Sequence, residues 1–187
     1  MKSAFIIVDL QNDFCPGGSL AVVGGDQVVE PINRYLDHCR ESHIPVFYTR
    51  DWHPTDHCSF KIQGGLWPSH CVADSPGADF HKELKIVHPA EIISKADKKD
   101  EDVYSGFEGT ELDDKLKSLK VEHLVIAGLA TDYCVKETVL DALKNGFRVT
   151  ILKEGIRAVN VNPEDGENGL KEMIFKGAEI SELKTLL

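Results

Sequence analysis

The stretch from His123 to Asp141 constrains the fold most tightly, because it reads as a buried strand, a small-residue turn and a helix. Residues 123–127 (HLVIA) form a short apolar run, and 128–132 (GLATD) break it with small and helix-capping residues. Apolar residues then recur at helical spacing at Val135, Val139, Leu140 and Leu143. Cys134 therefore falls in the first helical turn, where the helix dipole favours a thiolate and free N–H groups can receive an oxyanion. The alternative is a buried structural cysteine.

Further apolar runs of strand length alternate with helical patterns along the chain. Strands are predicted at 4–9, 45–49, 92–94, 148–152 and 178–180, and helices at 24–41, 111–119 and 163–176. Residues 52–79 show no sustained period, and a loop of that length is usually functional. This alternation predicts an α/β fold, a three-layer α/β/α sandwich around a mostly parallel sheet, with 1–187 as one domain.

The composition argues against some classes of binding partner and indicates the cellular location. The chain carries 31 acidic and 21 basic residues, net charge −10, which argues against a nucleic-acid or anionic-membrane surface. No apolar run has membrane-span length, and the first apolar run, 4–8, is too short for a signal peptide. Five cysteines without an export signal indicate reduced thiols and a cytoplasmic location.

Four polar or reactive side chains follow predicted strands: Asp9, Asp51, Lys95 and Cys134. Sites in such sheets form at the carboxyl ends of the strands, so we expect these groups to meet. A carboxylate can take the proton of a thiol while an ammonium stabilises the thiolate, which makes Asp9, Lys95 and Cys134 a coherent set for nucleophilic catalysis. A buried ion pair beside a core cysteine is the alternative.

A second group lies in the long loop. The Asp51-x-His53 pattern after a strand directs two ligands to one side, and His70 can return from the loop to join them. His57 is a candidate fourth ligand. One carboxylate with two or three imidazoles suits zinc, ferrous iron or manganese, so one divalent ion per chain is expected.

Five segments in order carry a resemblance to a known family: IIVDLQNDFCPGGSLAV, YTRDWHPTDHCSF, WPSHCV with PGADF, YSGFEGT and GLATDYCVKETVLDA. Together they resemble nicotinamidase/pyrazinamidase, within the isochorismatase-like cysteine hydrolases, from Ala4 to about Val159. The resemblance implies hydrolysis of nicotinamide to nicotinate and ammonia in NAD salvage, with pyrazinamide usually accepted as well. The implied partner is a small-molecule substrate. Subunit number is not implied, so a homo-oligomer stays open.

Roles carry over by position. By this resemblance Asp9 is the catalytic aspartate, Lys95 the lysine and Cys134 the nucleophile. The metal ligands are Asp51, His53 and His70, while relatives differ at His57. A cis peptide is implied at Leu129-Ala130, with the oxyanion held by the N–H groups of Ala130 and Cys134. The ring pocket is implied to be lined by four aromatic residues: Phe14, Trp67, Tyr104 and Tyr133.

The chain departs from the family pattern at two points, and two alternative functions stay open. Many relatives have glycine after the lysine, where this chain has Ala96, and the charged stretch 97–102 is peculiar to this chain. A metal-free hydrolase, such as an isochorismatase or a ureide/carbamoyl amidase, is the rival within the same fold. A non-catalytic metal- or redox-responsive binding protein is the rival from another class, but it leaves the expected Asp9–Lys95 pair unexplained.

Overall fold

Six strands form one sheet in the computed structural model, which describes all of residues 1–187. They are β1 (Ser3–Val8), β2 (Val46–Asp51), β3 (Glu91–Lys95), β4 (His123–Leu129), β5 (Arg148–Arg157) and β6 (Glu179–Ser181). The order across the sheet is β3-β2-β1-β4-β5-β6, and every neighbouring pair is parallel. The prediction of a mostly parallel sheet is confirmed, and the sheet is parallel throughout.

Five helices cover the two faces: α1 (Val29–Glu41), α2 (Leu112–Ser118), α3 (Lys136–Lys144), α4 (Asp165–Phe175) and α5 (Leu183–Leu186). Successive residues of a strand point to opposite faces. In β1, Phe5 and Ile7 accordingly pack in one core with residues of α1, whereas Ile6 packs in a second core with residues of α2 and α3. The predicted three-layer sandwich is therefore confirmed. No helix combines the length and apolar composition needed to cross a bilayer.

Most boundaries shift by one or two residues and the short helix α5 was not predicted, but the two largest differences lie elsewhere. The helix expected from residue 24 begins as a 3₁₀ turn at Gly25–Val28 and becomes α-helical only at Val29. The strand predicted at 148–152 continues to Arg157, because the pairing of β4 and β5 shifts register beyond Ile126. The apolar run ends at Leu152, so its pattern did not reveal the second half of the strand.

Gly128 lets β4 approach β1 closely beside the site. Its φ is +123°, and a Cβ there would lie 2.0 Å from the carbonyl oxygen of Val8. Only glycine adopts this conformation without strain and also fits the gap. The turn after β4 therefore lies directly against the end of β1, where Asp9 follows.

Candidate active site

The carboxyl ends of neighbouring strands bring the predicted catalytic residues together. Asp9 follows β1, Lys95 ends β3, and Cys134 lies in the turn after β4. The ammonium nitrogen of Lys95 is 3.0 Å from Asp9 Oδ2 and 3.5 Å from Cys134 Sγ. It also donates to Asp51 Oδ1 at 2.5 Å. The predicted convergence of Asp9, Asp51, Lys95 and Cys134 at one sheet edge is confirmed.

Burial and charge set the protonation of this cluster. Burial raises the pKa of Asp9 to about 6, despite the opposing effect of Lys95. Burial also raises the pKa of Cys134 well above its ordinary value, and Lys95 only partly offsets this. Burial disfavours the charge on Lys95 itself, but Asp51 and Asp9 outweigh it and hold the pKa of Lys95 well above its ordinary value. These pKa shifts favour a thiol beside a carboxylate and an ammonium at neutral pH.

This result limits the role of the helix start. The sequence indicated that the helix dipole at Cys134 favours a thiolate, whereas burial raises the pKa of this thiol and favours its protonated form. The thiol proton must therefore leave as the sulfur attacks. Asp9 Oδ2 is a suitable acceptor, because it is buried and accepts no well-directed hydrogen bond.

The turn after β4 supplies backbone donors beside the sulfur. Residues Thr131–Val135 form a π-helical turn that continues into α3, so Cys134 lies in the first turn of a helical segment as predicted. The peptide bond Leu129-Ala130 is cis, as the resemblance implied. The N–H group of Ala130 donates to no carbonyl or side chain of the protein. It is thus available to an oxyanion, in keeping with the expected role of Ala130.

Asp51, His53 and His70 form a compact donor group at the end of β2. One ligating atom from each lies within 4.8 Å of the others, and all three side chains are buried. The loop returns as expected, because His53 N–H donates to the carbonyl of Cys71 at 3.0 Å and its own carbonyl accepts from Ala73 N–H at 2.8 Å. This backbone pairing holds His70 beside the end of β2.

The donor group fits a divalent metal ion. The Nδ1 atoms of His53 and His70 lie 3.0 and 2.8 Å from the carbonyl oxygens of His70 and Pro68, which leaves each Nε2 free. Such a bond fixes the ring and the tautomer of a metal-ligating histidine. Burial lowers the pKa of His53 to about 4, so the imidazole is neutral, as a ligand must be. Asp51 contributes a carboxylate, with a pKa that Lys95 and His53 hold below the ordinary value despite burial.

His57 lies next to this group, but its nitrogens are engaged elsewhere. Its ring packs 4.3 Å from that of His53. Nδ1 is 2.8 Å from Ser59 Oγ, and Nε2 is 3.0 Å from the carbonyl oxygen of Glu101. His57 therefore lies outside the three-residue donor group. In this arrangement it connects the loop 52–79, called the metal loop below, to the charged stretch.

The predicted ring-binding aromatics line a pocket above Cys134. The pocket encloses about 450 Å³ including its mouth, and its walls include Phe14, Trp67, Tyr104 and Tyr133 together with the donor group. Trp67 Nε1–H donates to Tyr104 OH at 3.0 Å, and Trp67 meets the Tyr133 ring edge to face at 5.1 Å. A flat aromatic ring is the natural occupant of such a pocket.

Several contributors were missed by the sequence prediction. Gln11 is fully buried, accepts from Asp51 N–H at 2.9 Å and donates to the Asp51 carbonyl at 2.8 Å. Asp132 accepts from Val159 N–H at 2.9 Å and so fixes a further wall of the pocket. Thr49 donates to Asp9 Oδ1 at 2.6 Å. Each is a polar residue within or beside an apolar run, which is the one signal that was available.

The two departures from the family pattern meet at the site edge. Ala96 has a φ of +53°, the left-handed region in which glycine is less strained, so the glycine that the resemblance leads one to expect here would suit this conformation better. In the charged stretch, Asp102 lines the pocket mouth and Lys99 forms a 2.7 Å ion pair with Asp56 of the metal loop. Only Asp102, the last residue of the stretch, is therefore part of the wall of the site.

Known proteins resemble this chain over nearly its whole length. Residues 3–185 match the isochorismatase domain family. The nicotinamidase of Escherichia coli (strain K12) is 40% identical over 198 residues, covering 95% of this chain and 93% of the relative. A nicotinamidase/pyrazinamidase of Mycobacterium tuberculosis is 41% identical over 185 residues, covering 95% and 97%.

A solved structure extends the likeness to the fold. The pyrazinamidase of Pyrococcus horikoshii in complex with zinc superposes with a TM-score of 0.93 at 44% identity, covering 97% of this chain and 99% of that one. Both the layered architecture and the chain length therefore correspond to those of a metal-containing amidase.

Proposed function

The chain belongs to the isochorismatase family, and we propose that it is a metal-dependent cysteine amidohydrolase that converts nicotinamide to nicotinate and ammonia, and also hydrolyses pyrazinamide. The observation that carries the proposal is the position of the Cys134 thiol, which lies 3.5 Å from Lys95 Nζ and lines the pocket together with Asp51, His53 and His70. The nicotinamidase relatives support the choice of substrate.

In the first half of the reaction, the thiol proton of Cys134 moves to Asp9 Oδ2 while the sulfur adds to the amide carbonyl carbon. The carbonyl π electrons move onto oxygen, where the N–H groups of Ala130 and Cys134 receive the charge. Asp9 then gives its proton to the amide nitrogen, the C–N bond breaks, and ammonia leaves. Lys95 stays protonated throughout and stabilises the negative charge on Asp9 and sulfur.

In the second half, a water hydrolyses the thioester. Asp9 takes a proton from the water as its oxygen attacks the carbonyl carbon, and the C–S bond breaks. The sulfur recovers a proton from Asp9, which restores the starting thiol and carboxylate. The acid product loses its proton to solvent. One carboxylate with a pKa of about 6 can serve as acceptor and donor in turn at neutral pH.

Asp51, His53 and His70 are the residues we propose to hold the ion. When bound, a divalent metal supplies a Lewis acid for the ring nitrogen and so helps to aim the carboxamide at the sulfur. Zinc is our first choice because the Pyrococcus horikoshii relative is a zinc complex, with iron or manganese as alternatives. We further propose that 1–187 act as a single domain in the cytoplasm.

Ammonia release from nicotinamide tests the function. We expect turnover by the purified protein, and loss of turnover to the background rate in Cys134→Ala with the metal content unchanged. The metal-free rivals within the fold predict no effect of a chelator, and a binding protein predicts no ammonia. Retained turnover in Cys134→Ala would disprove the nucleophile.

A further inference from the structure

The carboxylate of Asp9 is held asymmetrically. Its Oδ1 accepts a 2.6 Å hydrogen bond from the hydroxyl of Thr49, whereas its Oδ2 accepts no well-directed hydrogen bond although Lys95 Nζ is 3.0 Å away. A buried polar atom without a hydrogen bond needs a reason, because such atoms are rare in folded proteins. The ion pair with Lys95 compensates much of the cost for Oδ2, and its remaining lone pair is free for the proton of Cys134, whose sulfur lies within 4.8 Å of a carboxylate oxygen of Asp9.

Thr49 holds Asp9 through two atoms. Its carbonyl oxygen accepts from Asp9 N–H at 3.2 Å, in addition to the hydroxyl bond to Oδ1. Asp9 itself has a φ of +46°, a conformation that non-glycine residues adopt only when their surroundings hold them. The contacts from β2 therefore fix both the backbone and the carboxylate of the residue that follows β1.

The side chain of Thr49 is itself fixed. It is fully buried, and a Cβ at Gly106 would lie only 2.9 Å from its Cγ2 methyl. The absence of a side chain at Gly106 thus leaves room for the observed rotamer of Thr49. The hydroxyl has no other partner in the protein, so its proton is committed to Asp9 Oδ1.

On the proposed function, we propose that Thr49 is a positioning residue that makes Oδ2 of Asp9 the proton acceptor in the attack by Cys134. A hydroxyl donor keeps its bond to Oδ1 whether Asp9 is a carboxylate or an acid. The mobile proton is therefore confined to Oδ2, the oxygen that faces Lys95 Nζ, and this nitrogen is itself 3.5 Å from Cys134 Sγ. Without the hydroxyl, the proton can settle on either oxygen of Asp9, so the acid that must protonate the leaving nitrogen is less often formed at Oδ2.

The test compares Thr49→Val with Thr49→Ser in the metal-loaded protein. We expect kcat for ammonia release to fall about 10- to 100-fold in Thr49→Val, the factor that corresponds to one hydrogen bond to a charged group. KM should change by less than about twofold, because the hydroxyl does not touch the substrate. Metal content should be unchanged, and Thr49→Ser should recover most of kcat because it keeps the donor.

Thr150→Val is the matched control. Thr150 is also a buried strand threonine, but its hydroxyl is 2.9 Å from His123 Nε2, towards the other end of the sheet. It should leave kcat unchanged. If Thr49→Val does not fold, Thr49→Ala against Thr49→Ser makes the same comparison between absence and presence of the hydroxyl.

A second readout does not depend on the substrate. Iodoacetamide alkylates Cys134 by forming an S–C bond as iodide leaves and the thiol proton passes to Asp9, and peptide mass spectrometry gives the rate at Cys134 alone. We expect slower alkylation in Thr49→Val and recovery in Thr49→Ser. Unchanged kcat and alkylation in Thr49→Val, or Thr49→Ser as slow as Thr49→Val, would overturn the inference. Thr49-dependent alkylation without ammonia release in the wild type would instead overturn the proposed function alone.

Discussion

Replacing Lys95 with methionine removes the cation between two buried carboxylates. Asp9 Oδ2 and Asp51 Oδ1 lie 3.0 and 2.5 Å from the ammonium, and the Lys95 side chain has no exposed surface. Methionine fills a similar volume, so the lost charge dominates the change. Breaking a buried ion pair from one side costs about 3–5 kcal/mol. For a chain of this size, that corresponds to a drop in melting temperature of roughly 6–20 °C.

The pH dependence separates this cause from a packing defect. The pKa of Asp9 is raised from 3.8 to about 6 in the folded chain, so the folded state binds the proton of Asp9 more tightly than the unfolded state does. The stability that this proton contributes is fully present below pH 3.8 and is lost as the pH rises through 6. Without Lys95 the pKa of Asp9 rises further, and the loss continues to higher pH. The variant should therefore be least destabilised near pH 5 and most near pH 8.

Thermal and denaturant unfolding of chelated protein at both pH values would measure the effect. Lys171→Met is the control, because Lys171 pairs with Glu167 on the exposed face of α4 and should have no measurable effect. A Lys95→Met variant within about 1 kcal/mol of the wild type, or one destabilised equally at both pH values, would refute the reasoning.

Two further predictions concern metal binding and the pH dependence of activity. Elemental analysis should show that His53→Gln loses most of the bound metal. His57→Gln should retain the metal, because both nitrogens of His57 are engaged by Ser59 and Glu101, and equal loss in the two variants would make His57 a ligand. The acidic limb of kcat/KM should lie at or below about pH 6, because Asp9 must be a carboxylate to accept the thiol proton and a bound cation nearby can only lower its pKa. A limb above neutrality would exclude Asp9 as the acceptor.

The sequence predicted those features that depend on local pattern. The apolar runs of β1 to β4 identified the strands, and the polar or reactive residues at or beyond their ends identified the site, since parallel strands end at one edge of a sheet. The prediction stopped where long-range pairing takes over. The second half of β5 and the 3₁₀ start before α1 depend on contacts with distant segments, and neither leaves a periodic signal.

Side-chain direction was beyond the sequence for a related reason. The spacing placed His53, His57 and His70 in one loop, but it could not show which ring nitrogens are free. That depends on backbone carbonyls at Pro68, His70 and Glu101, which the loop brings into reach only after it folds. Thr49 was hidden in the same way, because a threonine in a strand is ordinary until its hydroxyl meets a carboxylate on the neighbouring strand.

Asp51 shows why the catalytic and metal motifs belong to one site. In sequence it closes β2 and opens the metal loop, whereas Lys95 lies 44 residues later. In the fold, one oxygen of Asp51 accepts from Lys95 while the same carboxylate belongs to the donor group with His53 and His70. Asp9 and Asp51 carry two negative charges against one on Lys95, so a divalent cation at the donor group offsets an excess that would otherwise stay buried. The ion proposed to orient the substrate therefore also offsets the buried negative charge beside the nucleophile.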